Sequence, residues 1–216
     1  ISVKTVSKAV IPHEMNMRIL VCDNSVVSTM KNKNESYCNS NGWSYIDMGG
    51  NLGLSKAYNR ALAEIPENEW VVLFDQDTLI PENFFVELLK SIKKYPSILM
   101  HVPYVESLGK RISPSVIYGY VIRNGKKIKD GENNEITAIN SGMAMHKSIF
   151  SKTGLYDERF FLDCIDHHFV KLYKKSGGKI AVFNCKLEQA FSGDDHSDWE
   201  KDYCRFLIYK KDFYLF

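Results

Sequence analysis

The chain alternates short apolar runs with helical stripes. Val3, Val6 and Val10 recur at helical spacing until Pro12 ends the pattern. Arg18–Cys22 is a compact apolar run that stops at the turn formers Asp23, Asn24 and Ser25, which predicts a buried strand with polar residues at its carboxyl end. Val26–Ser40 is polar and only weakly helical in pattern. Trp43–Met48 predicts a second strand and Gly49–Gly53 a loop. Ser55 opens a helix with Ala57, Tyr58, Ala61, Leu62 and Ile65 on one stripe, closed by Pro66 and Asn68. Trp70–Phe74 is the most apolar strand and ends in Asp75-Gln76-Asp77. Pro81 starts the next helix near its first position, with Phe84, Phe85, Leu88, Leu89 and Ile92 facing inward.

From Ile98 to Ile139 the rhythm changes. Short strands over Ile98–Val105 and Ser115–Ile122 alternate with Gly, Lys and Asn turns at Arg123–Lys127 and Asp130–Asn134, which reads as antiparallel excursions or a mobile loop. Ile136–Met145 predicts a strand carrying Asn140-Ser141-Gly142, and Phe150–Tyr156 a helix-turn. Phe160–His168 leads into a helix through Tyr173 that stops at Gly177-Gly178, and Lys179–Phe183 predicts a late strand. In the tail, Trp199, Tyr203, Phe206 or Leu207, and Phe213 fall at helical spacing. The alternation predicts an α/β domain, a mostly parallel sheet flanked by helices. Ligands of such sheets bind beyond the carboxyl ends of the strands, where Asp23, Asn51 and Asp75/Asp77 all fall, so these polar clusters are expected to converge on one edge.

Composition narrows the class. At 216 residues, 44% hydrophobic and 25% charged, the chain is ordinary for a folded domain. Bulk disorder, collagen-like sequence and coiled coil are excluded, and no run of about 18 apolar residues marks a membrane span. We expect one domain over 1–216, with a first half at about 18–97, a second at about 98–198 and an amphipathic tail at 199–216. The first residue is Ile1 and no signal-peptide pattern follows, so the chain reads as a piece of something longer. A net charge of +2 gives no reason to expect a nucleic-acid partner. Five cysteines, an odd number without CxxC spacing, argue against a zinc site or disulfide framework and for a reducing compartment; Cys22 and Cys185 lie in apolar runs and read as core.

The chemistry concentrates at Asp75 and Asp77. Two carboxylates at i and i+2 beyond a strand end can offer oxygens to a hard divalent cation, Mg²⁺ or Mn²⁺, that also takes diphosphate oxygens. A bare pair of this kind is more often two solvated turn aspartates or a cap before Pro81. Context shifts the balance: Asp23 follows another strand at an equivalent place, and Asn51, Gly53 and Asn59 flank a helix start, where backbone N–H groups favour anions.

The stretches VCDNS, NLGLSKAYNRAL, WVVLFDQDTLIPENF and NSGMAMHKSIFSKTGLYDERFFLDCIDHHF, in this order, resemble the family 2 inverting glycosyltransferases of the GT-A fold, and within them the bacterial rhamnosyltransferase group. The resemblance runs from about Arg18 to the end, with a gap in the variable middle. It implies nucleobase or ribose contact by Asp23, nucleotide contact by Asn51, Gly53 and Asn59, ribose contact by Asp75 and metal–diphosphate contact by Asp77. Asn140, Ser141 and Gly142 match the acceptor-side loop. Asp166 matches the catalytic base that takes the acceptor hydroxyl's proton, with Asp163 as the alternative and a helix cap as Asp163's plainer reading. The implied donor is dTDP-L-rhamnose first and a UDP-hexose next. The implied acceptor is a growing bacterial surface polysaccharide, lipid-linked, on the cytoplasmic face of the membrane.

Three departures from the family pattern stand out. His168 sits where an acid is usual, and adjacent His167 and His168 point about 100° apart on a helix, which suits solvent or supporting roles better than one shared ion. Gln189 replaces the His of the family's LEHxxG; an amide oxygen is acceptable to Mg²⁺, and His196 is the other candidate for a third ligand, against a plain surface role. Ile1–Met17 has room only for a helix, so the fold's first strand is expected to be missing from this numbering. The basic, aromatic tail is equally suited to a membrane interface and to packing on the domain. The rival functions are a catalytically impaired module that binds nucleotide or glycan, and a nucleotidyltransferase, which would need a Gly-rich basic loop near the start that the sequence lacks.

Overall fold

The computed structural model describes residues 5–118, 121–123, 128–190 and 199–216. Val3 of the N-terminal stripe, Tyr120 and His196 lie outside them. The chain divides into two compact units that interleave in sequence. Unit 1 comprises Ile1–Met15, Glu67–Thr153 and Asp166–Ser197; unit 2 comprises Asn16–Pro66, Gly154–Ile165 and Asp198–Phe216.

Unit 2 opens with β1 (Leu20–Asp23), α1 (Ser28–Ser40), β2 (Ser44–Asp47) and α2 (Leu54–Leu62). β1 and β2 pair in parallel, Leu20 opposite Ser44 through Asp23 opposite Asp47. The weak pattern of 26–40 does form a helix, whose Cys38 is buried against the pair. α2 buries Ser55, Ala57, Asn59 and Leu62; of the predicted stripe Ala57 and Leu62 are buried, Tyr58, Ala61 and Ile65 are half-buried, and two polar residues join the inner face. Its last long element is α6 (Trp199–Leu215).

Unit 1 holds β3 (Trp70–Val72), β4 (Thr78–Leu79), α3 (Phe84–Lys94), β5 (Met100–Ser107), β6 (Lys110–Ser113), β7 (Ser115–Tyr118), β8 (Val121–Arg123), β9 (Gly131–Asn133), β10 (Ile136–Thr137), β11 (Ala144–His146), α4 (Phe150–Thr153), α5 (Ile165–Lys175, entered from unit 2 at Ile165) and β12 (Ile180–Gln189). Its seven-stranded sheet runs β3-β11-β5-β12-β4, with β6 on β5 and β9 on β12. A separate β10-β7-β8 ladder is antiparallel.

The α/β fold is as predicted, but the sheet is mixed rather than mostly parallel. β3, β5 and β12 share one direction; β11 runs against both β3 and β5. The reason is the excursion between β5 and β11, which brings the chain back into the sheet at the end it left, where a crossover helix would have carried it to the other end. Two boundaries also differ. The predicted strand 136–145 breaks into β10 and β11 around the Asn140-Ser141-Gly142 loop. Part of the expected 130–134 turn is β9, where Gly131 pairs with Val182.

The core of unit 1 joins aliphatic residues to a cluster of edge-on aromatic rings. α3 lays Phe84, Phe85 and Leu88 on the sheet, with Phe84 edge-on to Phe74 and Phe183. Lys93 and Lys94 close α3, where positive charge opposes the helix dipole. Before β1, the Thr5 hydroxyl lies along β4: it accepts from Ile80 N at 3.1 Å and donates to Thr78 O at 3.5 Å. Val10 N donates to Glu82 O at 2.8 Å.

His101 is fully buried between Ser91 Oγ (2.8 Å from Nδ1) and Ile98 O (3.0 Å from Nε2), edge-on to Trp70. Burial pulls its pKa down from 6.5 to about 4, against the opposing Ile98 hydrogen bond. Below pH 6.5 the unfolded chain takes up a proton that the folded chain refuses, so stability falls as pH drops toward about 4, by up to about 3 kcal/mol. Urea melts between pH 7 and 4 should show this loss, and His101→Gln should flatten that limb; an unchanged slope would remove His101 as its source.

Candidate active site

In unit 1 the acid pair sits just beyond β3, on the turn into β4. Thr78 N donates to Asp75 O at 3.2 Å and closes that turn. β4 then pairs with the end of β12, Thr78 opposite Gln189 and Leu79 opposite Glu188. This register delivers the Gln189 side chain to the acids: its Nε2 donates to Asp75 Oδ2 at 3.2 Å and to Asp77 Oδ1 at 3.1 Å. Gln189 Oε1 is buried and has no hydrogen-bond partner among the described residues.

That orphaned oxygen is the test of whether these residues fit a divalent cation. With no cation, the amide must turn its N–H2 toward two carboxylates, because its oxygen would be repelled there. Turning the amide over gives three oxygen donors, a set suited to Mg²⁺ or Mn²⁺. The residues fit. Among the described residues no three His, Cys, Asp or Glu side chains group as a metal site; the Gln189 amide offers a third donor, and His196, the other candidate, lies outside the described residues.

The Asn140-Ser141-Gly142 loop is strapped beside the same strand. Gly142 N donates to Leu73 O at 2.7 Å, Leu73 N to Met143 O at 3.1 Å and Met143 N to Asn140 O at 2.9 Å. Ser141 and Thr78, both fully buried, share a hydroxyl–hydroxyl hydrogen bond. Gly142 has φ +77°, and a Cβ there would stand 2.7 Å from Pro103 Cγ and 2.8 Å from Leu187 Cδ2.

Asp166 lies in the first turn of α5, its side chain 19% exposed. Its Oδ1 accepts from His167 N at 2.7 Å. Of the two roles expected for His167, solvent or supporting, the second fits: it is buried, with Nδ1 2.7 Å from the Thr137 hydroxyl.

In unit 2, Asp23 ends β1, buried but saturated with donors: Ser25 N and Asn34 Nδ2 at 2.8 Å and Tyr45 OH at 2.9 Å. Burial alone would raise its pKa; the three hydrogen bonds outweigh it and hold the carboxyl below its ordinary value. The same contact pushes the Tyr45 phenol up, after burial. Asn24 joins β1 to the following loop, donating to Gly53 O at 3.2 Å and accepting from Leu52 N at 3.4 Å. Asn51 is exposed, and its Oδ1 accepts from Gly53 N at 3.3 Å. Asn59 is turned inward: Nδ2 reaches Tyr156 O (2.9 Å) and Glu158 Oε1 (3.0 Å), and Oδ1 accepts from Tyr156 N (3.0 Å). Its amide is spent on that loop.

Known proteins can now be set beside this geometry. The family model for Glycosyl transferase family 2 matches residues 2–154. The chain belongs to this family. No curated protein matches it significantly. Among solved structures, GalNAc-T7 with UDP, GalNAc and Mn²⁺ superimposes with a TM-score of 0.69 at 17% identity, over 88% of this chain and 40% of that one. TarS 1–349 of S. aureus gives 0.63 at 14%, over 87% and 55%. The mannosyltransferase PcManGT from Pyrobaculum calidifontis, with GDP-Man and Mn²⁺, gives 0.63 at 11%, over 95% and 55%. The fold is therefore that of the GT-A glycosyltransferases, and the chain spans about half or less of each of these structures.

The two candidate carboxylates, Asp163 and Asp166, differ in their partners. Both Asp163 oxygens are taken by the fork of Arg205, with Nη2 to Oδ1 at 2.6 Å. Cys164, at φ +58°, then turns the chain before α5 begins, so Asp163 is outside the helix. Sequence reasoning missed Asn24, Thr137 and Arg205. Asn24 was legible as part of VCDNS; the other two carry no local signal, because their partners lie 30 and 42 residues away.

Gly142→Ala should cost at least about 2 kcal/mol, since the new methyl is both strained and overpacked. Chemical denaturation measures this; a loss below about 0.5 kcal/mol would show that Pro103 and Leu187 yield freely.

Proposed function

We propose that this chain is the catalytic domain of a metal-dependent inverting glycosyltransferase. The observation that carries the reading is the Asp75–Gln189–Asp77 cluster with its orphaned amide oxygen. A Mg²⁺ or Mn²⁺ ion held by Asp77, Asp75 and the Gln189 oxygen supplies positive charge opposite a departing diphosphate. Asp23 and the Asn51–Gly53 loop take the nucleoside, and Asn140-Ser141-Gly142 borders the acceptor. Asn59 is a bracket for the loop at 156–158 rather than a ligand.

Asp166 is the base. Its carboxylate accepts the acceptor hydroxyl's proton as that oxygen bonds to the anomeric carbon from the face opposite the leaving group. The bond to the diphosphate breaks with its electron pair, and the configuration inverts. The two carboxylates are equally exposed; Asp166 accepts from the His167 amide, whereas both oxygens of Asp163 are held by the Arg205 guanidinium.

The motif resemblance favours dTDP-L-rhamnose as donor, and the UDP and GDP-Man of the neighbouring structures make those nucleotides the next to test. The acceptor is a hydroxyl of a growing bacterial surface polysaccharide, lipid-linked, on the inner face of the membrane. All five cysteines are free, which suits a cytoplasmic setting. No described helix is long and apolar enough to cross a membrane. On α6, Trp199, Tyr203, Phe206, Leu207 and Tyr214 are exposed, a stripe suited to the headgroup level of a lipid surface.

Asp166→Asn should lower transfer by about 10²–10⁴-fold while nucleoside diphosphate still binds. Product assays with calorimetry test this, and undiminished turnover would remove Asp166 as base. Asp77→Asn should abolish Mn²⁺ binding measured by calorimetry; metal affinity equal to the parent's would sink the cation site. Wild-type chain should sediment with anionic phospholipid vesicles and a Trp199→Ser/Phe206→Ser variant should not; equal sedimentation would discard the membrane contact.

A further inference from the structure

α6 is inside out. Its aromatic residues face away from unit 2, and the side chain it buries completely is a carboxylate, Asp212. A buried charge is costly unless its hydrogen bonds are made. Asp212 makes them with three consecutive backbone amides: Phe161 N at 3.0 and 3.1 Å, Leu162 N at 2.8 Å and Asp163 N at 2.8 Å. Successive N–H groups converging on one anion form a nest, and charged acceptors make the stronger hydrogen bonds. Arg205 lies two helical turns earlier on the same face and grips the Asp163 side chain. Asp163, in front, raises the affinity of the Arg205 guanidinium for its proton.

The loop held in this way is itself a holder. Phe161 O accepts from Leu54 N at 2.8 Å, and Phe160 O accepts from Ser55 Oγ at 2.5 Å. Gly53, at φ +90°, approaches so closely that a Cβ would stand 2.8 Å from Phe161 O. Phe161 thus gives its N–H to Asp212 and its carbonyl to the start of α2, and hydrogen bonds linked through one residue polarise each other.

We propose that Asp212 and Arg205 are positioning residues for the donor nucleotide: from α6 they fix the 160–163 loop, and that loop fixes the Gly53–Ser55 turn. The nucleotide part rests on the reading of Asn51–Gly53 given above.

The test joins amide hydrogen exchange to calorimetry with UDP, dTDP and GDP on the full chain. In Asp212→Asn, exchange at Leu54 should accelerate at least tenfold. Exchange at Ser44, whose amide donates to Ile19 O within β1–β2 packing, should hold, which a general loss of stability would not allow. Affinity for the tightest-binding nucleotide should fall about tenfold. Arg205→Gln, which leaves the Asp212 nest intact, should do the same more weakly, and it decides the matter if Asp212→Asn does not fold. Unchanged Leu54 exchange in the folded variants overturns the clamp. Faster Leu54 exchange with unchanged affinity overturns the positioning role. If the parent chain binds none of the three nucleotides, the donor reading fails, and Leu54 exchange alone decides the clamp.

Discussion

The pairing of β12 is the constraint on which unit 1 depends. Ten residues long, β12 runs parallel to β5, takes β9 antiparallel near its start and β4 antiparallel at its end. Because side chains alternate along a strand, a one-residue slip against β4 would turn Gln189 away from the acids and present Glu188. The bulge between Val182 and Lys186 absorbs the mismatch along β5 while preserving the terminal register. Buried Leu187 then packs beneath the Gly142 loop as Gln189 reaches Asp75 and Asp77.

Much of this was legible in the sequence. Apolar runs ending in Asp23 and Asp75 announced the two acid-tipped strand ends, and the α2 and α3 stripes gave their buried faces. What escaped depends on partners distant along the chain. Strand direction is not encoded in a run such as Ala144–His146; it follows from the path that brings the run back. Gly131–Asn133 looks like a turn because only β12 makes it a strand. Asp212 looks like one more charge on a basic tail, and nothing near it in sequence foretells three amides fifty residues away.

Both units solve the same electrostatic problem by different means. Asp23 and Asp212 are buried carboxylates whose oxygens accept from backbone amides, joined at Asp23 by the Asn34 amide and the Tyr45 hydroxyl. Asp75 and Asp77 share the Gln189 amide, whose oxygen has no hydrogen-bond partner among the described residues.

The Thr5 hydroxyl has a further effect. β4 is only two residues long and meets β12 on one side, so its other side would present Thr78 O and Ile80 N as an open rim. Thr5 occupies both groups, and the Val10–Glu82 bond holds the same segment in place. A rim filled from within its own chain offers no template for a strand of another molecule. The acid-bearing turn thus lies beside an edge whose outward N–H and C=O groups are already engaged within the chain.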